Sequence, residues 1–120
     1  MKYAIAALGL STFVMSGAVL PAQAATYDGE WSVLIVTEQG SCDRAYRYPV
    51  KISNGVVSYN GQNKFNVSGR VQSNGSAQVT VSKGNQAASG SGRLSGKNGR
   101  GTWRAPDGGC SGKWTAEKRG

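Results

Sequence analysis

Hydrophobic and polar residues alternate along the chain from about residue 27 onward, in short runs that Gly and Asn separate. In the first run, Trp31, Val33 and Ile35 share one face, while Leu34 and Val36 lie on the other. A period of two residues is typical of β-strands, because successive side chains point to opposite faces of a sheet. This run therefore predicts a strand that is apolar on both faces.

Later runs have one apolar face and one polar face, and turn signals separate them. Asn54-Gly55 is the strongest of these signals, since a type I′ hairpin turn needs positive φ at both central residues. No stretch shows a helical period. The sequence therefore predicts an all-β fold, an antiparallel up-and-down meander of about eight strands. The other turn signals are Gln39 to Ser41, Asn60-Gly61, Ser73 to Gly75, Gly84-Asn85, Gly96 to Gly99 and Pro106 to Gly109.

The meander is expected to close into a small barrel, because an open sheet of eight strands would leave two unpaired edges. On the predicted inner face, aromatic residues alternate with glycines, and this large-and-small pattern is typical of a filled interior. The pattern therefore favours a packed lumen over an interior pocket, and a hollow interior is the alternative that the sequence leaves open. The large inward residues are Trp31, Tyr46, Tyr48, Phe65, Trp103 and Trp114, and the small ones are Gly69, Gly90, Gly92 and Gly112.

The first 24 residues have the pattern of a cleaved export signal. Lys2 gives a positive start, residues 4–20 are mostly apolar, and Ala22-Gln23-Ala24 matches the Ala-x-Ala cleavage motif. The apolar run is short for a membrane span of about 20 residues, although an uncleaved anchor is the alternative. We predict a signal peptide at residues 1–24 and a single domain at residues 25–120, which is periplasmic or secreted.

Both cysteines, Cys42 and Cys110, belong to the predicted mature chain. An even number of cysteines in a small exported domain indicates a disulfide bond, and two free thiols are the alternative. In an up-and-down barrel, the loops after strands one and seven lie at the same end, and they become neighbours when strand eight pairs with strand one. The cysteines fall in these two loops, so the bridge and barrel closure support each other.

The chain is strongly basic, with 14 Lys and Arg residues, six Asp and Glu residues and a net charge of +8. Cleavage after residue 24 would remove one basic residue and no acidic one, which leaves +7. In an exported protein this charge favours anionic lipid head groups, lipopolysaccharide or acidic glycans as partners over nucleic acid. The simpler explanation is that the charge keeps a small secreted protein soluble.

Gly29-Glu30-Trp31 resembles the Gly-x-Trp signature that opens the first strand of lipocalins and other calycin barrels, including avidins. Gly101-Thr102-Trp103 and Gly112-Lys113-Trp114 have the same spacing. The resemblance implies a barrel architecture, and it brings no ligand pocket, because no biotin-pocket constellation is present.

Three longer segments, Cys42 to Ile52, Val67 to Val71 and Gly90 to Trp114, are similar to small secreted proteins of alphaproteobacteria, especially rhizobia. Some members of that group are described as haem-utilisation or adhesion proteins. This chain has no His, and both Met residues lie within the predicted signal peptide. The usual axial haem ligands are therefore missing, apart from Tyr or a bridged Cys, and we expect no haem and no other cofactor.

The lack of His also excludes Ser-His-Asp and Cys-His catalytic arrangements and imidazole metal sites. A glycosidase would need two carboxylates across a cleft, whereas all six acids lie near predicted turns or strand ends. We therefore predict a non-enzymatic protein with no catalytic residue and no metal site. The acids are Asp28, Glu30, Glu38, Asp43, Asp107 and Glu117.

A candidate binding surface follows from barrel closure, because the outer faces of strands two, one, eight and seven would be contiguous. Leu34 and Val36 would form an apolar stripe there, flanked by cations, that docks an anionic amphiphile or a partner protein. The alternative is an ordinary exterior in which the stems of Lys and Arg cover the two aliphatic side chains. The cations are Arg44, Arg47, Lys51, Arg104 and Lys113.

The leading functional hypothesis is an exported binding module that recognises an anionic envelope or extracellular component. The alternative is a periplasmic inhibitor of a hydrolase such as lysozyme, since small barrels include such inhibitors. A basic inhibitor would complement a basic lysozyme poorly, which weakens this alternative. An enzyme is the third hypothesis.

Overall fold

The computed structural model describes residues 27–61, 65–105 and 109–120, which form eight antiparallel strands in a closed barrel. Each strand pairs with its neighbours in the sequence, and β8 closes the barrel on β1. The predicted all-β meander and its closure are confirmed. The predicted signal peptide and most of the last predicted turn lie outside the described residues. The strands are β1 (Gly29–Gln39), β2 (Ala45–Ser53), β3 (Val56–Tyr59), β4 (Asn66–Val71), β5 (Ser76–Lys83), β6 (Gln86–Ser95), β7 (Asn98–Ala105) and β8 (Cys110–Lys118).

Short turns set the register of several hairpins. Asn54 and Gly55, between β2 and β3, have φ angles of 52° and 78°, as the predicted type I′ turn requires. The Asp28 carboxylate accepts a hydrogen bond from the backbone N–H of Asn54 at 2.9 Å, which ties this turn to the start of β1. Gly84 and Gly96 begin the β5–β6 and β6–β7 turns with φ angles of 61° and 62°. Each of these two hairpins therefore needs only two linking residues.

The two ends of the barrel differ in what they contain. Strands β1, β3, β5 and β7 end at one rim of the barrel, which we call the disulfide end. The turns after β2, β4 and β6 and both ends of the described chain lie at the opposite rim, the terminal end. There, the backbone N–H of Glu30 donates a hydrogen bond to the carbonyl of Gly120 at 2.8 Å. The carbonyl of Glu30 accepts a hydrogen bond from the N–H of Arg119 at 2.6 Å.

The predicted Cys42–Cys110 disulfide is present, with the two Cα atoms 6.2 Å apart. Cys42 lies in the β1–β2 loop, and Cys110 is the first residue of β8. The bond links positions 68 residues apart in the sequence across the β1–β8 closure. It therefore holds the two ends of the meander together at one rim.

The hydrophobic core fills the terminal end and the middle of the barrel. Trp31 is 2% exposed, and its indole N–H donates to the carbonyl of Tyr27 at 2.8 Å. The ring of Trp114 lies against Gly92 and Gly101, where an added Cβ atom would come within 2.6 Å of the indole. Glycines on β6 and β7 therefore make room for one large ring. The other buried core residues are Val50, Ile52, Val57, Val71, Ala77, Leu94 and Ala116.

Candidate functional site

A cavity of about 690 Å³ lies inside the barrel, so the prediction of a filled interior is wrong. This lumen cavity extends from the core to the disulfide end, where Ser41, Asp43 and Gln86 line its mouth. Ligand sites in proteins are commonly cavities of about 300–1,000 Å³ with mostly apolar walls. The lumen cavity meets both criteria and is the candidate functional site.

The lumen stays open because the large inward residues lie along its floor and walls. Trp31 and Trp114 pack into the core, and Trp103 on β7 lies against β1. The aromatic rings near the mouth lean against one another on the side formed by β2 to β4. Below Lys83 and Gln86 at the mouth, the inward positions of β5 and β6 carry small side chains, including Val79, Val81 and Ala88. Gly90 and Gly92 of the alternating pattern lie against the ring of Trp114.

Four aromatic residues form the mouth cluster: Tyr46, Tyr48, Tyr59 and Phe65. The ring of Tyr48 contacts the other three, at centroid distances of 4.7 Å to Tyr46, 5.1 Å to Phe65 and 6.5 Å to Tyr59. Phe65 meets each tyrosine edge to face, an arrangement that stabilises aromatic pairs beyond their burial. Tyr46, Tyr48 and Phe65 also line the cavity, so the cluster forms one of its walls and the predicted inward orientation of both tyrosines is confirmed.

Lys83 and Asp43 are the charged residues among the described lining of the cavity. The Lys83 ammonium lies 5.1 Å from the centroid of the Phe65 ring, within the range of a cation–π interaction. The backbone carbonyl of Asp43 accepts a hydrogen bond from the hydroxyl of Thr37 at 2.6 Å, which fixes the β1–β2 loop against the barrel wall. A ligand would therefore meet one cation and one carboxylate at the mouth and apolar surface below them.

The indole donors beside the cavity are already used within the protein. Trp103 donates its N–H to the carbonyl of Val36 at 3.0 Å, and Trp114 donates to the carbonyl of Ser91 at 3.2 Å. The deeper wall is otherwise mainly aliphatic. Recognition of the buried part of a ligand would therefore depend on shape and apolar contact.

The environment of Tyr48 at the mouth displaces the acid–base equilibrium of its phenol. Burial raises the pKa of its phenol above the ordinary value of 10.0, and Tyr46, Tyr59 and Asp43 raise the pKa further. The phenol therefore stays protonated at neutral pH and can donate a hydrogen bond to a ligand at the mouth.

The structure brings together part of the predicted outer surface. Leu34 lies directly opposite Arg47, and Val36 lies directly opposite Lys113, so the apolar stripe and two of its cations are contiguous. Both aliphatic residues are half-buried. Arg44 is exposed in the β1–β2 loop at the disulfide end, and its carbonyl accepts a hydrogen bond from the N–H of Thr37 at 2.9 Å.

Acidic and polar neighbours lower the positive potential of that outer surface. The Lys113 ammonium forms an ion pair with Glu38 at 3.6 Å, and Arg47 donates from Nη1 to the hydroxyl of Ser32 at 2.9 Å. Lys51 lies directly opposite a carboxylate, Glu30, on β1. Arg104, on β7, lies between serines on both neighbouring strands. Binding at this surface stays a prediction.

Sequence reasoning missed both the open lumen and the position of Lys83 at its mouth. The order of the strands could have located the lysine. In an up-and-down barrel, the β5–β6 turn lies at the same end as the β1–β2 loop that contains Cys42, and Lys83 immediately precedes that turn. No pattern of single residues reveals how much of a barrel interior its side chains leave empty.

No protein-family model matches the sequence, and no curated protein matches it. The resemblances to calycin barrels and to small secreted alphaproteobacterial proteins stay predictions. In the part of the chain that the structure describes, no cluster of His, Cys, Asp and Glu residues could hold a metal ion. The same residues include no helix of the length and apolarity needed to cross a membrane.

Proposed function

We propose that this protein is an exported, non-enzymatic binding protein that holds a small anionic amphiphile in the lumen cavity. The apolar part of the ligand lies between the core and the mouth cluster, and its anionic end lies near Lys83. The observation that carries the proposal is the cavity of about 690 Å³, which is lined by apolar side chains and reaches the disulfide end. Amphiphiles of a cell envelope have this combination of an apolar chain and an anionic end.

Simple energetics support an amphiphile over a fully polar ligand. Each methylene group that leaves water for an apolar cavity contributes about 0.8 kcal/mol, so a chain of several methylenes provides most of the affinity. A charged end remains at the mouth, because burying it without a partner would cost several kcal/mol. The Cys42–Cys110 disulfide supports export, since disulfides persist mainly in oxidising compartments.

The test compares three probes with the same twelve-carbon chain: dodecanoate, dodecanol and dodecyltrimethylammonium. Binding is measured by calorimetry and by the fluorescence of the tryptophans that line the cavity. We expect saturable binding in which dodecanoate binds most tightly. Lys83→Gln should weaken dodecanoate binding about two- to fivefold, as expected for a partly exposed charge, and leave dodecanol binding unchanged.

Matched tryptophan substitutions separate the cavity from the rest of the surface. Val79→Trp places a large ring in the cavity, whereas Thr80→Trp places the same ring on the outer face of the same strand. We expect the first variant to bind dodecanoate at least tenfold more weakly and the second to bind it normally. Val67→Trp and Ser68→Trp repeat the comparison on β4 if the first variant does not fold.

Two results would contradict the proposed function. One is equal binding by the inward and outward tryptophan variants, which would place the ligand elsewhere. The other is the absence of saturable binding for all three probes.

A further inference from the structure

Two arginines lie directly opposite each other on the outer face of the barrel. Arg93 on β6 pairs with Arg100 on β7, and both are exposed. Residues in such positions have Cβ atoms about 4.5–5.5 Å apart, and like charges at this spacing destabilise a sheet. Arg93 donates from Nη1 to the carbonyl of Asn74 at 3.1 Å, which gives its guanidinium one acceptor but no countercharge.

Two further cations extend this pair across β7 and β8. Arg100 pairs with Thr115, so Lys113 is its diagonal neighbour, about 7–8 Å away. Arg104 pairs with Ser111, so it is also a diagonal neighbour of Lys113. We call these four exposed residues the basic face: Arg93, Arg100, Arg104 and Lys113.

Carboxylates neutralise little of the basic face. Glu38 pairs with Lys113 at 3.6 Å, and both side chains remain largely exposed. Glu117 lies diagonally from Arg100, but its carboxylate pairs with Arg119 at 3.2 Å. Among the described residues, the three arginines of the basic face form no ion pair. The positions between the cations carry hydroxyl groups, from Ser89, Ser91, Thr102 and Thr115.

We propose that the basic face binds an acidic polysaccharide, a polymer with repeated carboxylate or sulfate groups. Its anions would lie between cations that otherwise repel each other, so binding relieves the repulsion between Arg93 and Arg100. The planar guanidinium group matches the geometry of a carboxylate or sulfate with two parallel hydrogen bonds. The intervening serines and threonines can exchange hydrogen bonds with sugar hydroxyls.

A polysaccharide fits this surface better than a single-stranded nucleic acid. Proteins that bind single strands stack the bases on aromatic side chains. The described tryptophans lie inside the barrel, and Tyr46, Tyr48, Tyr59 and Phe65 belong to the mouth cluster. The basic face therefore offers charge and hydroxyl groups without a stacking platform. It is on the outside of the barrel, so this proposal does not depend on a ligand in the lumen cavity.

The experiment measures binding of the exported domain to alginate, to uncharged dextran and to a DNA duplex by calorimetry, at low and high salt. The test variant is Arg93→Gln/Arg100→Gln. The control variant is Arg44→Gln/Lys51→Gln, which loses the same charge at exposed positions outside the basic face. We expect the test variant to bind alginate at least tenfold more weakly at low salt and the control to change less than twofold. Salt should weaken wild-type binding steeply, because charges dominate the contact.

Arg100→Gln alone provides a second variant, because Arg100 forms no described ion pair and its replacement leaves the Arg93–Asn74 hydrogen bond in place. Equal losses in the test and control variants would overturn the proposal, since net charge alone would then explain binding. Binding to dextran as tight as to alginate, equal affinity for DNA and alginate, or no binding to alginate would also overturn it.

Discussion

At the scale of single residues, Tyr48 links the chemistry of the mouth to the stability of the fold. Its native pKa lies above 10.0, so the folded protein keeps this proton at a pH where the unfolded chain has lost it. The resulting contribution to stability is complete below the unfolded pKa of about 10 and is lost as the pH rises through the native pKa. We expect the free energy of unfolding in urea to fall more steeply with pH above about pH 10 in the wild type than in Tyr48→Phe.

Absorbance of the tyrosinate form provides an independent measurement of the same property. In the wild type, the phenol of Tyr48 should titrate later than an unfolded tyrosine, and Tyr48→Phe should lack this late step. Equal dependence of stability on pH in both proteins would show that the cluster does not protect this phenol.

The orientation of single residues could be predicted because it depends on the period of two alone. Tyr46, Tyr48, Val50 and Ile52 face the lumen as their alternation indicates. The contacts of their rings could not be predicted. The ring of Tyr48 meets that of Phe65, which precedes β4, and alternation within one strand carries no information about such a neighbour.

At the scale of strands, the pairing of β6 with β7 contains a repulsion that a substitution can remove. Arg100→Thr takes one charge from the Arg93–Arg100 pair and introduces a residue with high β-propensity. We expect the free energy of unfolding to increase by about 0.2–1 kcal/mol, as measured by urea unfolding at low salt. High salt should shrink this gain by screening the wild-type repulsion.

Arg70→Thr is the matched control for this prediction, because Arg70 lies opposite an uncharged residue, Gln78. If the free energy of unfolding increases equally in both variants, the cause is β-propensity or net charge and not relief of the repulsion between Arg93 and Arg100. Loss of stability in Arg100→Thr would show that the side chain has a stabilising contact of its own.

The strands and their register were largely accessible from the sequence, because tight turns leave few alternatives. Two-residue turns contain Asn54-Gly55 and the glycines at positions 84 and 96. The length of each turn determines which residues of the two flanking strands lie opposite each other. The link from β3 to β4 was less predictable. Alternation placed Phe65 in a strand, whereas β4 begins at Asn66 and β3 ends at Tyr59.

At the scale of the whole molecule, the disulfide is the main covalent constraint on the unfolded chain. Cys42 and Cys110 are 68 residues apart, and a loop of that length corresponds to about 4 kcal/mol of stabilisation in the chain-entropy description. We expect Cys42→Ala/Cys110→Ala to lose most of this free energy of unfolding while keeping the same strand content by circular dichroism. Urea unfolding of the oxidised wild type and the variant provides the measurement.

Reduction of the wild type with dithiothreitol is the control for side effects of the substitutions and should give the same loss. A difference below about 1 kcal/mol between the oxidised and reduced proteins would show that the strand pairs of β1 and β8 restrain the chain without the bond.

Closure and the disulfide could be predicted together. Closure follows from the unpaired edges of an open meander, and the count of loops then places both cysteines at one end of the barrel. The cavity could not, because it depends on how side-chain volumes are distributed around and along the lumen. Trp114 fills the space above its glycines, whereas Val79, Val81 and Ala88 leave the space nearer the mouth empty.

The hydrogen bonds that join Glu30 to Arg119 and Gly120 place both ends of the described chain opposite the mouth. A tag, anchor or partner domain fused at either end would hold the barrel with its cavity facing away from the attachment. A short linker could also join residue 120 to residue 27 while new ends are opened at the Gly84-Asn85 turn, and this circular permutant would keep every strand pair. An immobilised form of the protein would thus present its opening to solution from either attachment point, which suits a capture surface or a sensor.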